Sequence, residues 1–155
     1  MAAGNVGVPL VDAVTADPPY DVLAVELSSF QLHWTSSVEL AAAALLNVAD
    51  DHSDWHGSAD AYAADKATVW RGSGTVVVNA DDPPALELAR ARAGGRGLVT
   101  FTLGDPAIGQ LGVRDGWLVD GTGERLVEVA DVRPPGAHNV ANALTSIGGL
   151  WLAGF

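Results

Sequence analysis

Four short, almost unbroken apolar blocks, at residues 21–26, 43–48, 75–79 and 98–101, set the tightest limit on how this chain folds. A strand that is apolar on both faces belongs in a parallel sheet covered by helices on both sides. The stretches between the blocks read as helices. Residues 9–16 open with Pro9, whose fixed φ suits a first helical position. Ser28 and Gln31 have the spacing of a capping box for a short helix after the first block. Ser58 is placed to cap a helix running to Arg71, and residues 83–93 form another that Gly94-Gly95 closes. Such alternation predicts right-handed βαβ units, hence an α/β fold with a mostly parallel sheet flanked by helices. The pattern changes after Gly104. Residues 114–119 and 125–129, joined through Asp120-Gly121-Thr122-Gly123, predict a small antiparallel hairpin. Beyond Pro134-Pro135-Gly136 a last helix is expected over residues 138–153.

At 155 residues the chain has the size of one domain and can bury a real core. It has no cysteine, which excludes disulfides and thiolate metal sites. No run approaches the roughly 20 apolar residues of a membrane span. The opening MAAGNVGVPL has neither the charged start nor the apolar core of a signal peptide, so a cytoplasmic location is expected. A net charge of −11 argues against nucleic acid as a partner, because phosphate backbones are held by clusters of Lys and Arg. A bound nucleotide would need metal ions and backbone N–H groups to offset the repulsion. The chain has one lysine, Lys66, in AYAADKATVW, and therefore no G-x-x-x-x-G-K-[ST] phosphate-binding loop within it.

In open α/β sheets, ligands bind at the carboxyl ends of the strands. Glu26 ends the first block. Asp50, Asp51 and His52 follow the second, and Asn79, Asp81 and Asp82 follow the third. Hard oxygen ligands with an occasional His suit Mg2+, although acidic residues also favour loops and helix N-termini for their own sake. Tyr62, Lys66, Val69 and Trp70 fall on one helical face, which turns Lys66 toward the core. A desolvated amine loses proton affinity and becomes open to CO2 as a carbamate; the other reading is a lysine whose stem covers Trp70. Asn139 and Asn142, one helical turn apart, either read the edge of a base or cap the last helix. Gly4-Asn5-Val6-Gly7 is a short glycine loop before a helix. His33 and His56 have no partner legible in the sequence, and Trp34, Trp55, Trp117 and Trp151 read as packing.

Taken in order, GNVG, VELSSFQL, LNVADDHSDWHG, YAADK, VVNADD and GAHNVANAL resemble the central ATPase domain of the Mur ligases, over Gly4 to about Leu150. VELSSFQL resembles the D-glutamate-adding branch of that family. The resemblance implies a ligase using ATP and two Mg2+ ions to join D-glutamate to UDP-MurNAc-L-Ala through an acyl-phosphate. It implies that Glu26 binds the Mg2+ between the ATP phosphates and that His52 binds a second Mg2+. Lys66, carbamylated, would support that second metal, so Lys66 and His52 would be the catalytic pair. Asn142, helped by Asn139, would contact adenine, and Asn5 the muramoyl substrate. The family's GTNGK[ST] loop, expected before Gly4, is not in this sequence. A UDP-binding domain and a C-terminal domain presenting D-glutamate are likewise expected outside it, so residues 1–155 alone are expected to be inactive. DWH stands where the family has a DRH-like tripeptide, with Asp54 and His56 retained. Two other readings stay open: a non-catalytic binding module derived from such a ligase, and a ligase of the folylpolyglutamate synthase type.

Overall fold

The structure is a computed structural model that describes residues 1–49 and 51–152, the side chains of 151 and 152 excepted. Its centre is β4 (Thr75–Asn79), whose Val76, Val77 and Val78 are wholly buried. Alternate side chains leave a strand on opposite faces. Val76 and Val78 therefore meet Trp70, Ala85 and Ala89 on one side, while Val77 meets Leu144, Val99 and Leu111 on the other. Each such side chain contributes on the order of 2 kcal/mol by leaving water. The two faces are covered by α5 (Pro83–Ala93) and by α6 (Ala137–Leu152). Gly148 lets α6 approach closely, since a Cβ there would lie 3.3 Å from Val77 and 3.4 Å from Leu111 and Val99.

The sheet around β4 has six strands in sequence order: β3 (Ala42–Leu45), β4, β5 (Gly97–Phe101), β6 (Gln110–Arg114), β7 (Trp117–Asp120) and β8 (Arg125–Glu128). The first four run parallel and the last two add antiparallel. The predicted α/β class holds, and the hairpin extends the same sheet. Its limits differ from expectation. The expected strand over residues 114–119 is broken at Asp115-Gly116, both at positive φ (50° and 78°), which makes β6–β7 a tight hairpin of its own. Two successive left-handed residues are what a primed two-residue turn requires, and Asp-Gly supplies them at least cost. The β7–β8 turn is held by Asp120, whose carboxylate accepts from the Thr122 hydroxyl (2.7 Å) and from the N–H groups of Thr122 and Glu124 (both 2.9 Å).

The first block behaves differently from the other three. Only Ala24–Glu26 forms a strand, β2, and it pairs parallel with β1 (Ala2–Gly4) in a separate two-stranded sheet. Ala24 and Glu26 are exposed, so the expectation of a buried strand over residues 21–26 is overturned. Leu23 and Val25 are half-buried, and no described strand pairs with the far edge of β2. The intervening helix α1 is Leu10–Val14, with Pro9 at its cap and not at its first turn. The capping box forms as expected at the start of α2 (Ser29–Trp34): Ser28 Oγ accepts from the Gln31 N–H and Gln31 Oε1 from the Ser28 N–H. The helix capped by Ser58 splits into α4 (Ala59–Lys66) and a 3-10 turn, Ala67–Trp70. A further single-turn helix, α3 (Ser53–His56), precedes it. No described helix is long and apolar enough to cross a membrane.

Gly4 sits opposite Glu26 with φ 127°, and a Cβ there would come within 2.0 Å of the Glu26 carbonyl oxygen. That carbonyl also accepts the Asn5 N–H at 2.8 Å. Gly4→Ala is therefore expected to cost about 1–3 kcal/mol, confined to the small sheet. In hydrogen exchange the Asn5 amide should then lose protection while those of β4 keep it. Asp120 yields a second expectation. The Thr122 hydroxyl, and then the turn N–H groups, outweigh the burial that opposes them and hold its carboxyl below the usual 3.8. A depressed carboxyl contributes stability that is complete above the unfolded value and is lost as pH falls through the folded one. Asp120→Asn should flatten the loss of stability below pH 3.8, read from urea midpoints across a pH series.

Candidate active-site cleft

The free edges of β2 and β3 border a cleft of about 730 Å3, lined by residues 23–27 and 42–47, by Lys66 and Val69, and by Asn142, Thr145 and Ser146 of α6. Neither edge is paired with a described strand. The cleft runs along both strands and reaches their carboxyl ends at Glu26, Leu27, Leu46 and Asn47; such ends are where α/β sheets bind ligands. It brings together three of the residues singled out from sequence: Glu26, Lys66 and Asn142.

Lys66 ends α4 half-buried, and its Nζ donates to the Asn47 carbonyl at 2.7 Å. The helical-face argument placed it correctly, beside Tyr62 and Trp70, which are both buried. Trp70 Nε1 is itself tied to the Ala43 carbonyl at 3.1 Å, fixing the turn that follows Lys66 against β3. Burial lowers the proton affinity of the Lys66 amine, and the nearby carboxylates of Asp82 and Asp51 offset part of that effect. The consequence for folding follows in sign: the charged amine costs stability below its lowered folded value. That cost lifts as pH rises toward 10.5, where the unfolded amine titrates.

His52 does not line the cleft. It caps α3 in the left-handed region (φ 52°, ψ 24°), with its N–H donated to Asp51 Oδ1 at 2.9 Å and its ring 4.9 Å from that of Phe30. Tyr62 spans the interval between His52 and Lys66. Its ring centroid lies 5.3 Å from the Lys66 Nζ and 6.5 Å from the His52 ring. Burial and then the Asp51 charge push the Tyr62 phenol upward, so it stays neutral and can donate a proton in a hydrogen bond. Sequence reasoning saw Tyr62 only as an apolar neighbour of Lys66. Its position as a bridge depends on where α3 lies, and α3 was not legible.

The remaining candidates are spread around this core. Asn5 reaches the site through its backbone bond to Glu26, on the exposed side of the small sheet. Asn139 is not among the cleft-lining residues, and its Nδ2 donates to His138 Nε2 at 2.9 Å. The end of β4 serves the framework before any ligand. Asp82 caps α5 through Ala85 N–H (2.9 Å) and accepts the Val48 N–H at 3.3 Å, while Asp81 accepts from Thr102 Oγ1 (2.6 Å) and Leu103 N–H (2.7 Å). Asp50 lies outside the described residues. Trp34 is 77% exposed, against its expected role in packing. His33 and His56, which had no assigned partner, both meet Asp65.

The chain is similar to proteins of known family. The family model described as the Mur ligase middle domain matches residues 3–150. UDP-N-acetylmuramoylalanine–D-glutamate ligase of Streptomyces coelicolor is 49% identical over 95% of this chain and 34% of its own length. The enzymes of the same name from Frankia casuarinae and Mycolicibacterium smegmatis are 53% and 48% identical, over 93% and 99% of this chain and 31% and 30% of theirs. The chain thus spans about a third of the length of the curated relatives it matches. A solved structure of UDP-N-acetylmuramoyl-L-alanyl-D-glutamate–2,6-diaminopimelate ligase superposes with a TM-score of 0.64 at 25% identity, over 86% of this chain and 30% of that one. The chain therefore belongs to the Mur ligase family, as a middle domain of that family.

Proposed function

We propose that this chain is the metal- and nucleotide-handling part of an ATP-dependent ligase that adds D-glutamate to UDP-N-acetylmuramoyl-L-alanine in peptidoglycan precursor synthesis. One observation carries the reading most: Glu26, Lys66 and Asn142, from three elements far apart in sequence, line one cleft between the edges of β2 and β3. The names and identities of the relatives support the same reaction. The parts that bind the UDP moiety and present D-glutamate are assigned to regions beyond these residues. A cytoplasmic location follows from nucleotide-linked substrates and is part of the same proposal.

The donor set fits the groups this reaction needs. Glu26 offers an exposed carboxylate at the mouth of the cleft, suited to a hard cation. His52 offers an imidazole held by a strained backbone, which limits where its ring can go. Mg2+, when bound, supplies positive charge to neutralise phosphate oxygens during transfer. Asn142, with Asn139 one turn away, is the proposed contact to adenine, and Asn5 the proposed contact to the muramoyl substrate. In this reading the substrate carboxylate attacks the γ-phosphorus of ATP, releasing ADP, and the amine of D-glutamate then displaces phosphate to form the amide. The chain's contribution to both steps is to position the reactants and to balance charge.

Lys66 is proposed to act as a carbamate. The Nζ ammonium first loses one proton; the neutral amine then adds to CO2, one N–C bond forms and a second proton leaves, so a cation becomes an anion. Burial favours the neutral amine that this needs. The remaining N–H can still donate to Asn47, while Asp51 and Asp82 oppose the new negative charge. The carbamate should therefore depend on a bound divalent cation. With 13C-bicarbonate and Mg2+, one carbamate resonance is expected and should be lost in Lys66→Arg. Persistence of the same resonance in Lys66→Arg would exclude Lys66, and the chain has no other lysine.

A chimaera tests the ligase reading. Residues 3–150 would replace the matching third of the Streptomyces coelicolor enzyme. Amide formation from ATP, UDP-N-acetylmuramoyl-L-alanine and D-glutamate is expected, with Lys66→Ala in the chimaera reducing kcat by at least about 100-fold. A folded chimaera with no activity would overturn the assignment.

A further inference from the structure

Away from the cleft, three helices converge on a cluster that the proposed ligase chemistry does not use. His33 comes from the last turn of α2, His56 from the end of α3 and Asp65 from the last turn of α4. Asp65 Oδ2 lies 2.8 Å from His33 Nδ1 and 2.7 Å from His56 Nδ1. One ligand atom from each residue lies within 4.8 Å of the others. The His56 side chain is wholly buried, and its second nitrogen, Nε2, is 3.1 Å from Ser29 Oγ. The rings of Trp55, Tyr62 and Phe30 surround it at 4.5, 5.3 and 5.6 Å. His33 is 41% exposed, which leaves the cluster open to solvent on one side.

We propose that His33, His56 and Asp65 form a site for Zn2+, distinct from the Mg2+ ligands proposed at the cleft. Two imidazole nitrogens and one carboxylate oxygen make a borderline-soft set that suits Zn2+ and offers little to Mg2+. Three protein ligands leave a fourth position, facing the exposed side of His33, for water. The support around the set is already in place. A ligating histidine is normally held by a hydrogen bond from its other ring nitrogen, and Ser29 provides it for His56. Metal binding requires each ring to present its Nδ1 lone pair, with the ring proton on Nε2. For His56 that proton points at Ser29 Oγ. Asp65 Oδ2, which now accepts from both rings, then turns its lone pairs to the cation.

The consequence would be mechanical. α3 is one turn long, and His56 is its one residue that is not exposed, so its placement rests heavily on His56. A cation joining α2, α3 and α4 would fix the loop that carries His52 relative to the helix that carries Lys66.

The test uses the protein stripped with chelator, then titrated with ZnCl2 by calorimetry and with Co2+ by visible absorption. One Zn2+ per chain is expected, with a four-coordinate Co2+ spectrum and a rise in Tm on Zn2+ addition. His33→Ala should abolish all three. Its side chain is partly exposed, so the variant should fold, and a metal-free melt matching the parent confirms that. Ser29→Ala, one shell out, should weaken Zn2+ by about 10–100-fold. A millimolar excess of Mg2+ should not compete. Zn2+ affinity unchanged in His33→Ala, competition by Mg2+, or loss of binding in His52→Ala but not in His33→Ala would each overturn the proposal.

Discussion

The fold depends on one strand that has no solvent-facing side. Val76, Val77 and Val78 of β4 are wholly buried, so each face of the sheet must carry its own helical layer. The Trp70 turn and α5 supply one layer, and α6 supplies the other. Close packing leaves no room to shift either layer without opening a void. This is how a central apolar strand reaches the chemistry: the layer that covers Val76 and Val78 also carries Lys66, and the layer that covers Val77 carries Asn142. Two residues 76 positions apart in sequence come to line one cleft because α6 and the Trp70 turn that follows Lys66 pack against the same strand.

Charge imposes the second constraint. The chain carries a formal charge of −11 and a single lysine, yet its proposed substrates are anionic. The carboxylates near the site are not all competitors for a ligand. Asp81 and Asp82 are absorbed in capping and loop bonds, so the end of β4 presents a rigid frame. Asp51 is the more open of the acids near Lys66, and its field acts on both Tyr62 and Lys66. With that charge balance, anionic phosphates would reach the proposed site only by way of bound cations.

The parts of this architecture legible in the sequence are those set by local rules. The β4 and β5 blocks, the Pro83–Ala93 helix and the Ser28–Gln31 capping box follow from apolar periodicity and cap chemistry, and they form where expected. Lys66 was placed correctly because a helical face is a local property. What escaped depended on contacts distant in sequence, or on turn chemistry too short to show a period. Asp115-Gly116 is a strong hairpin signal that is hidden inside an otherwise continuous strand pattern. α3 is a single turn, below the length at which amphipathicity can be read, and with it went the bridging role of Tyr62 and the partners of His33 and His56. The first apolar block misled because an apolar run reports that burial is needed and not which surface provides it. In the described residues its open edge faces a cleft.

That edge matters for how the site works over time. Glu26 rides on a pair of three-residue strands that stand apart from the main sheet, while Lys66 is anchored to it through Asn47 and Trp70. Regions with few buried contacts open far below the free energy of global unfolding. The wall that carries Lys66 is backed by a six-stranded sheet, and the wall that carries Glu26 by a single strand pair. A ligand that bridges both ties the small sheet to the large one, and the entropy of that ordering weighs against its binding.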